Sequence, residues 1–503
     1  MKNIAVIELD MMSIKLTIAS VVKNSVVVLN QVTEPLNFVD DLMADEIIKA
    51  PKINETIEIC QSFKSLCDAY EVVETTCLSH RKFYDFKNEV SFYEQIYAKC
   101  GLKFKEMTED EEINGFYFAA INSIDVSRGV MFCVNLNDTV ILNFSKRSVF
   151  EKSIIEFGTL NTLQKLELEN TEPKEMLSKV YKFFKNELSK VDWLKSLEPD
   201  ISIVGMGKYF LSICKLARKI TKYPLDVENM YPLNAGDFET TYNFISSLDI
   251  DKSKKIKGIS QERADIFACS LAIYKAIFDT FKFQTIYASK LDFSEGELHY
   301  LANPSLTDKP YPDILGNSLD IINEFYTPKP NNNEHVYYLT VILYKQLKVL
   351  HKLPRAYVKP LRIAANLYNC GSRINFYERN KAGYNVILNS HIMGASHKDI
   401  VLAAFILLCT KLEDFNLFEW VRYKNLLTEE DIDAVKKLAV IVNLADSLDK
   451  FRKKRVVDMT CDLLGDSIII KTQTESPATL EIREGMKNVV DFRKVFKKNL
   501  ELL

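Results

Sequence analysis

Residues 4–20 read IAVIELDMMSIKLTIAS: an apolar strand carrying one carboxylate at Glu8, the turn Asp10-Met11-Met12-Ser13, and a second apolar strand. Another β-branched run at 25–31 follows, so the chain opens as a three-stranded meander. Residues 129–144 (GVMFCVNLNDTVILNF) repeat the plan, with Asn135 in the place of Glu8 and Asn137-Asp138 at the turn. Such a duplication points to two similar halves, each opening with a polar residue on its first strand and a turn into the second. A turn that brings backbone N–H groups against a phosphate normally uses glycine, which allows close approach and positive φ. Neither turn contains one. The first offers an anion an acid and two bulky side chains.

Glycine is scarce throughout, 15 of 503 residues or about 3%, against about 7% in average usage. Compositional drift can erode optional glycines but not those that chemistry requires, so their loss from both turns is informative. A chain of this length predicts about three domains. Lys+Arg of 65 against Asp+Glu of 68 leaves a net charge of −3, which excludes the basic field that duplex nucleic acid binding needs. No apolar stretch reaches the roughly 18 residues of a membrane helix, and Met1-Lys2-Asn3 leads into a strand rather than a signal sequence. The expected location is cytoplasmic, with no membrane partner. Ten cysteines without CxxC spacing, several inside apolar runs (Cys133, Cys269, Cys409), read as reduced core thiols. Six histidines disfavour a histidine-rich metal centre.

Periodicity predicts a long helix over 172–197, a strand at 201–204 running into Gly205-Met206-Gly207-Lys208, a helix over 261–281 and a strand at 284–291. A Pro- and Asn-rich stretch marks a linker around a short helical insert. Helices are expected over 334–350, 358–368, 398–411 and 429–451. Strands at 467–472 and 479–483 and a helix at 486–498 complete the chain. The expected division is 1–126 and 127–302 as two lobes, 303–333 as linker, 334–460 as a helical domain, and 461–503 as a small α/β coda.

Several motifs, in this order, resemble one family. They are Gly258-Ile259-Ser260-Gln261-Glu262-Arg263-Ala264-Asp265-Ile266, Tyr223-Pro224-Leu225 upstream of it, and Ser289 with Glu295-Gly296 downstream. The SIIEFG run at 153–158, Leu388-Asn389-Ser390 and Leu444-Ala445-Asp446-Ser447-Leu448-Asp449 join them. Together they resemble the Ppx/GppA family of exopolyphosphatases and guanosine pentaphosphate phosphohydrolases, in the long form with a C-terminal HD-like domain. The resemblance implies an α/β plus all-α protein: a duplicated actin-like (ribonuclease H-like, ASKHA) two-lobed half, then the HD-like helices and a small α/β coda. It also implies a homodimer, and polyphosphate or guanosine polyphosphate as ligand.

The family's chemistry is metal-assisted phosphoanhydride hydrolysis, and the resemblance assigns its parts to residues here. Glu8 and Asp10 would hold Mg²⁺ if the protein is active. Ser13, Thr139, Gly205 and Gly207 fall at phosphate-binding positions. Thr108-Glu109-Asp110-Glu111-Glu112 places Glu111, or alternatively Glu112, as general base. Thr108 with Glu111 also spells a helix-capping box, so both roles stay open. The family arginine corresponds to His80 or Arg81. Asp292 and Ser294 stand where the family tends to place Gly and Arg. Of the metal ligands of an HD site, His335 and Asp446 remain, but the His-Asp pair is Tyr368-Asn369, and no metal is expected there. The altered turns, loop and HD ligands together predict a degenerate hydrolytic site retained for anion binding or interaction. The alternative is a divergent active exopolyphosphatase or (p)ppGpp phosphohydrolase using Mg²⁺ and Glu111.

Overall fold

Strand β1 (Lys2–Asp10) turns through Met11-Met12 into β2 (Ser13–Val22), with Asp10 paired to Ser13 and Glu8 to Lys15. This register puts alternate residues of both strands on one face. Met11 is fully buried in the lobe core with Leu9, Ile14 and Phe38, and Met12 packs against the same cluster. The bulky turn residues therefore anchor the hairpin from behind. The computed structural model describes residues 2–23, 25–145, 148–168, 171–198, 200–256, 264–303 and 311–503.

β3 (Ser25–Pro35), β4 (Val72–Ser79) and β5 (Phe104–Glu106) complete the first sheet, in order β3-β2-β1-β4-β5. The second sheet contains β6 (Arg128–Val134), β7 (Thr139–Ser145), β8 (Val149–Ile155), β9 (Ser202–Met206), β10 (Pro232–Asn234) and β11 (Thr285–Ala288). Its order is β10-β11-β9-β6-β7-β8. Each sheet is thus an antiparallel meander joined edge to edge with parallel strands, β1 beside β4 and β6 beside β9. The duplication seen in the sequence is a duplication of topology, with β10 added at one edge.

The chain forms two compact units, Met1–Thr221 with Tyr231–Ile314, and Lys222–Met230 with Leu315–Leu503. The first holds both sheets. The second is mainly helical, its core built by helices that include Val358–Asn366, Arg379–Asn389, His397–Leu408 and Glu429–Leu448. Within the stretch expected as linker, helix Ile314–Tyr326 buries Leu315, Leu319 and Ile322 in that core, the spacing of one helical face. Residues 304–310 lie outside the described residues, as do 257–263, which carry most of the Gly258–Ile266 motif; helix Ala264–Phe281 begins just after.

Two expectations are corrected. The helix predicted over 172–197 is Pro173–Ser189 followed by a 3₁₀ turn, Asp192–Ser196, separated by Val191 in extended backbone. Residues 479–483 form the start of helix Thr479–Met486, not a strand. Five residues are too few to separate a period of 2 from 3.6 when Leu480 and Ile482 alternate with charges. The third sheet instead comprises β12 (Val456–Leu464), β13 (Ser467–Thr474) and β14 (Asn499–Leu502). Among the described residues no helix is long and apolar enough to cross a membrane, and all ten cysteines are free, nine of them buried.

Helix Phe293–Ala302 crosses helix Glu109–Ser123 at two glycines. A Cβ on Gly296 would lie 2.2 Å from the Gly115 carbonyl oxygen and 3.1 Å from the Ala119 nitrogen. Backbone cannot yield as a side chain does, so Gly296→Ala is expected to destabilise the first unit by about 1–3 kcal/mol. A lowered midpoint in thermal or denaturant unfolding checks this.

Candidate functional site

The carboxyl ends of β1, β4, β6 and β9 converge on a cavity of about 290 Å³. Open α/β sheets bind ligands in such a crevice, because helix N-termini and loops collect there. Glu8, Asp10, Ser13 and Lys15 reach it from the first hairpin, and His80 from the end of β4. Asn135 and Asn137 reach it from the turn after β6, and Gly207 and Lys208 from the turn after β9. Glu112 and Asp292 close it. Gly207 has φ +84° and starts helix Gly207–Thr221, whose N-terminus it sets at the cavity.

Acids in this cavity are matched by cations of the chain. The Lys15 Nζ lies 2.9 Å from Glu8 Oε2 and 2.8 Å from Asp292 Oδ2, and the Ser294 hydroxyl donates to the same Glu8 oxygen. Deeper in, Arg81 Nη2 donates to Asp138 Oδ2 at 3.1 Å, and Arg81 Nε lies 3.6 Å from Glu112 Oε2. His80 Nε2 is 3.6 Å from Glu112 Oε1 and 3.8 Å from Asp138 Oδ2. Asp138 is fully buried, and its other oxygen accepts from Asn135 Nδ2 at 2.9 Å. Burial opposes charge on His80, but the adjoining Glu112 carboxylate and the charges of Asp138 and Asp10 outweigh it, raising the imidazole to about 9.

The structure separates the two glutamates. Glu111 is turned to the surface, where it completes the capping box with Thr108 and pairs with Lys105. Burial would raise its carboxyl, but Lys105 and the Thr108 N–H prevail and hold it below the ordinary range. Glu111 is a helix cap; Glu112, one position on, is buried and lines the cavity. A helix rotates about 100° per residue, so neighbours point to different surroundings. His80 lines the cavity; Arg81 does not, and besides Glu112 and Asp138 it also pairs with the exposed Glu109 and Glu156.

The phosphate positions divide likewise. Ser13 and Gly207 line the cavity. Thr139 does not: it is buried and its hydroxyl donates to the Phe157 carbonyl at 2.9 Å. Gly205 is a packing glycine, since a Cβ there would meet the Phe210 ring at 2.3 Å. Lys15, Asp138 and the pair Asp292 and Ser294 were not assigned site roles from sequence. For Lys15 the signal existed, because a two-residue turn places it opposite Glu8.

Glu8 and Asp10 each have one oxygen engaged by the chain itself. Glu8 Oε2 is held by Lys15 and Ser294, and Asp10 Oδ1 accepts from the Met11 N–H at 2.7 Å. His80, Glu112 and Asp138 place ligand atoms within 4.8 Å of one another. A protonated imidazole has no lone pair to give, however, and Arg81 already supplies positive charge to both carboxylates.

In the second unit, His335 Nε2 bonds the Val456 carbonyl at 3.0 Å. Asp446 meets Arg379 Nη2 at 3.4 Å, and that guanidinium also reaches the Tyr368 hydroxyl at 3.2 Å. The two residues have separate structural partners.

Residues 17–302 match the profile of the Ppx/GppA phosphatase family. Among solved structures the chain is similar to a Ppx/GppA family member of Aquifex aeolicus, with 19% identity and a TM-score of 0.54 over 60% of this chain and 98% of that one. It is also similar to an exopolyphosphatase of Cytophaga hutchinsonii, with 13% identity and a TM-score of 0.54 over 60% and 98%. At these identities the likeness shows the duplicated, actin-like fold alone. No curated protein sequence matches.

His80 makes stability depend on pH with a definite sign. Its folded pKa, about 9, exceeds the ordinary 6.5, so the stabilisation is complete below 6.5 and lost as pH rises through 9. The full amount is of the order of 3 kcal/mol. Unfolding midpoints measured from pH 6 to 10 should fall across this window, and His80→Gln should remove the His80 part of the fall.

Proposed function

This chain belongs to the Ppx/GppA phosphatase family, and we propose that it uses the family cleft to bind a phosphate-bearing anion, polyphosphate or a guanosine polyphosphate, without hydrolysing it. One observation carries this reading: the carboxylates needed for hydrolysis are engaged by the chain itself. Glu8 is paired with Lys15, Glu112 lies between His80 and Arg81, and Asp10 accepts from its own turn. Hydrolysis also needs donors aimed at the charge developing on phosphate, and loss of one such donor costs about 3–4 kcal/mol. Both glycine turns are gone.

Binding is favoured by different features. Met11 and Met12 pack into the lobe core, leaving the cavity open. Lys15, His80 and Lys208 line it beside the N-terminus of helix Gly207–Thr221, and Ser13, Asn135 and Asn137 add polar groups.

A second reading, a divergent hydrolase, has a specific observation behind it. Glu112, unlike Glu111, is a buried carboxylate at the cavity, in reach of a ligand if the His80 and Arg81 pairs opened.

The test is phosphate release from long-chain polyphosphate and from pppGpp, with Mg²⁺ or Mn²⁺, for the wild type, Glu112→Gln and Glu111→Gln. The expected result is background release from all three. Calorimetry should detect polyphosphate binding, weakened about threefold to tenfold by Lys208→Ala. Release that depends on Glu112 would establish the hydrolase instead.

A further inference from the structure

We propose that Lys15 is the resident cation of this cleft, its ammonium standing between Glu8 and Asp292 where a divalent ion would otherwise balance them. The inference concerns the same cleft as the proposed function, but it does not depend on which anion binds or on whether hydrolysis survives.

The arrangement is built from several elements. Cross-strand pairing sets Lys15 directly opposite Glu8, so both side chains project from the same face of the hairpin. Asp292 approaches from the N-cap of helix Phe293–Ala302 and divides its oxygens: Oδ1 accepts from the Glu295 N–H at 3.1 Å, and Oδ2 accepts from Lys15 at 2.8 Å. Ser294, two residues on, donates to the Glu8 oxygen that Lys15 also holds. The Lys15 side chain is only 17% exposed. Burial works against its charge, but Glu8 and Asp292 prevail and raise the ammonium above the ordinary lysine range.

Size explains why the two cations compete. An ammonium holds carboxylate oxygens at 2.8–2.9 Å here, and Mg²⁺ holds oxygen at about 2.1 Å. The two acids would therefore need to close by less than about 1 Å each to grip a metal, and Asp10 lines the same cavity. While Lys15 is present, its positive charge occupies that position. An ammonium has three N–H donors; two are committed to the carboxylates, which leaves one for a ligand oxygen in the cavity that Lys15 lines. Anion binding in this cleft is then independent of divalent metal.

The experiment is Mn²⁺ titration of the full chain, followed by electron paramagnetic resonance and calorimetry, on the wild type, Glu8→Gln, Lys15→Ala and the double variant. The wild type should show no Mn²⁺ site sensitive to Glu8→Gln. Lys15→Ala should gain one site at least tenfold tighter than any in the wild type, and the added Glu8→Gln should abolish it. A stoichiometric wild-type site lost in Glu8→Gln would overturn the proposal, as would a folded Lys15→Ala protein that gains none. If Lys15→Ala fails to fold, Lys15→Met keeps the stem's volume and is judged by the same gain, and the wild type against Glu8→Gln still decides. Because the readout is metal binding, failure here is distinguishable from unexpected phosphate release.

Discussion

Unpaired carboxylates buried in a cleft are costly, and the organisation of this one follows from how that cost is met. Glu112 and Asp138 are almost or fully inaccessible to water, and Glu8 is largely so. Each has a cation from another segment of chain within 4 Å: Lys15 for Glu8, and Arg81 and His80 for Glu112 and Asp138. These contacts join residues that precede 127 to Asp138 and Asp292, which follow it. The pairing that neutralises the acids therefore also fixes the two sheets' loops around the cavity. Here the balance is internal.

The turns fit this view. Met11 and Met12 looked like an obstruction in an anion site, but they belong to the core behind the hairpin. What replaces the glycine cradle is a set of side chains: Ser13 and Lys15 on one hairpin, Asn135 and Asn137 after β6, and Lys208 at a helix start. Side chains give charge and hydrogen bonds with less preorganisation than backbone N–H groups. The second unit shows the same tendency, with Asp446 beside Arg379 and Lys450.

The fold was legible where signals were long or repeated. The duplication in 4–20 and 129–144 appears as two sheets of matching order, β3-β2-β1-β4 and β8-β7-β6-β9. Residues 479–483 read as a strand because the segment is short, whereas the helical insert expected within the proline-rich stretch is helix Ile314–Tyr326. At the site, Glu8, Asp10, Ser13 and Gly207 were named and do line the cavity. Glu111 and Thr139 were named and do not, because local sequence cannot fix which face of a helix or strand meets a distant loop.

Sequence alone thus determined the strand–turn–strand duplication, the family likeness and the absence of glycine from both turns. These are local properties, set by side-chain period and hairpin geometry. Only the tertiary structure decided which acid meets which cation: Lys15 with Asp292, Arg81 with Asp138, and Glu112 rather than Glu111 with His80. The reason is electrostatic. Coulomb energy depends on distance and on the dielectric around the pair, and for residues far apart in the chain both are properties of the folded molecule.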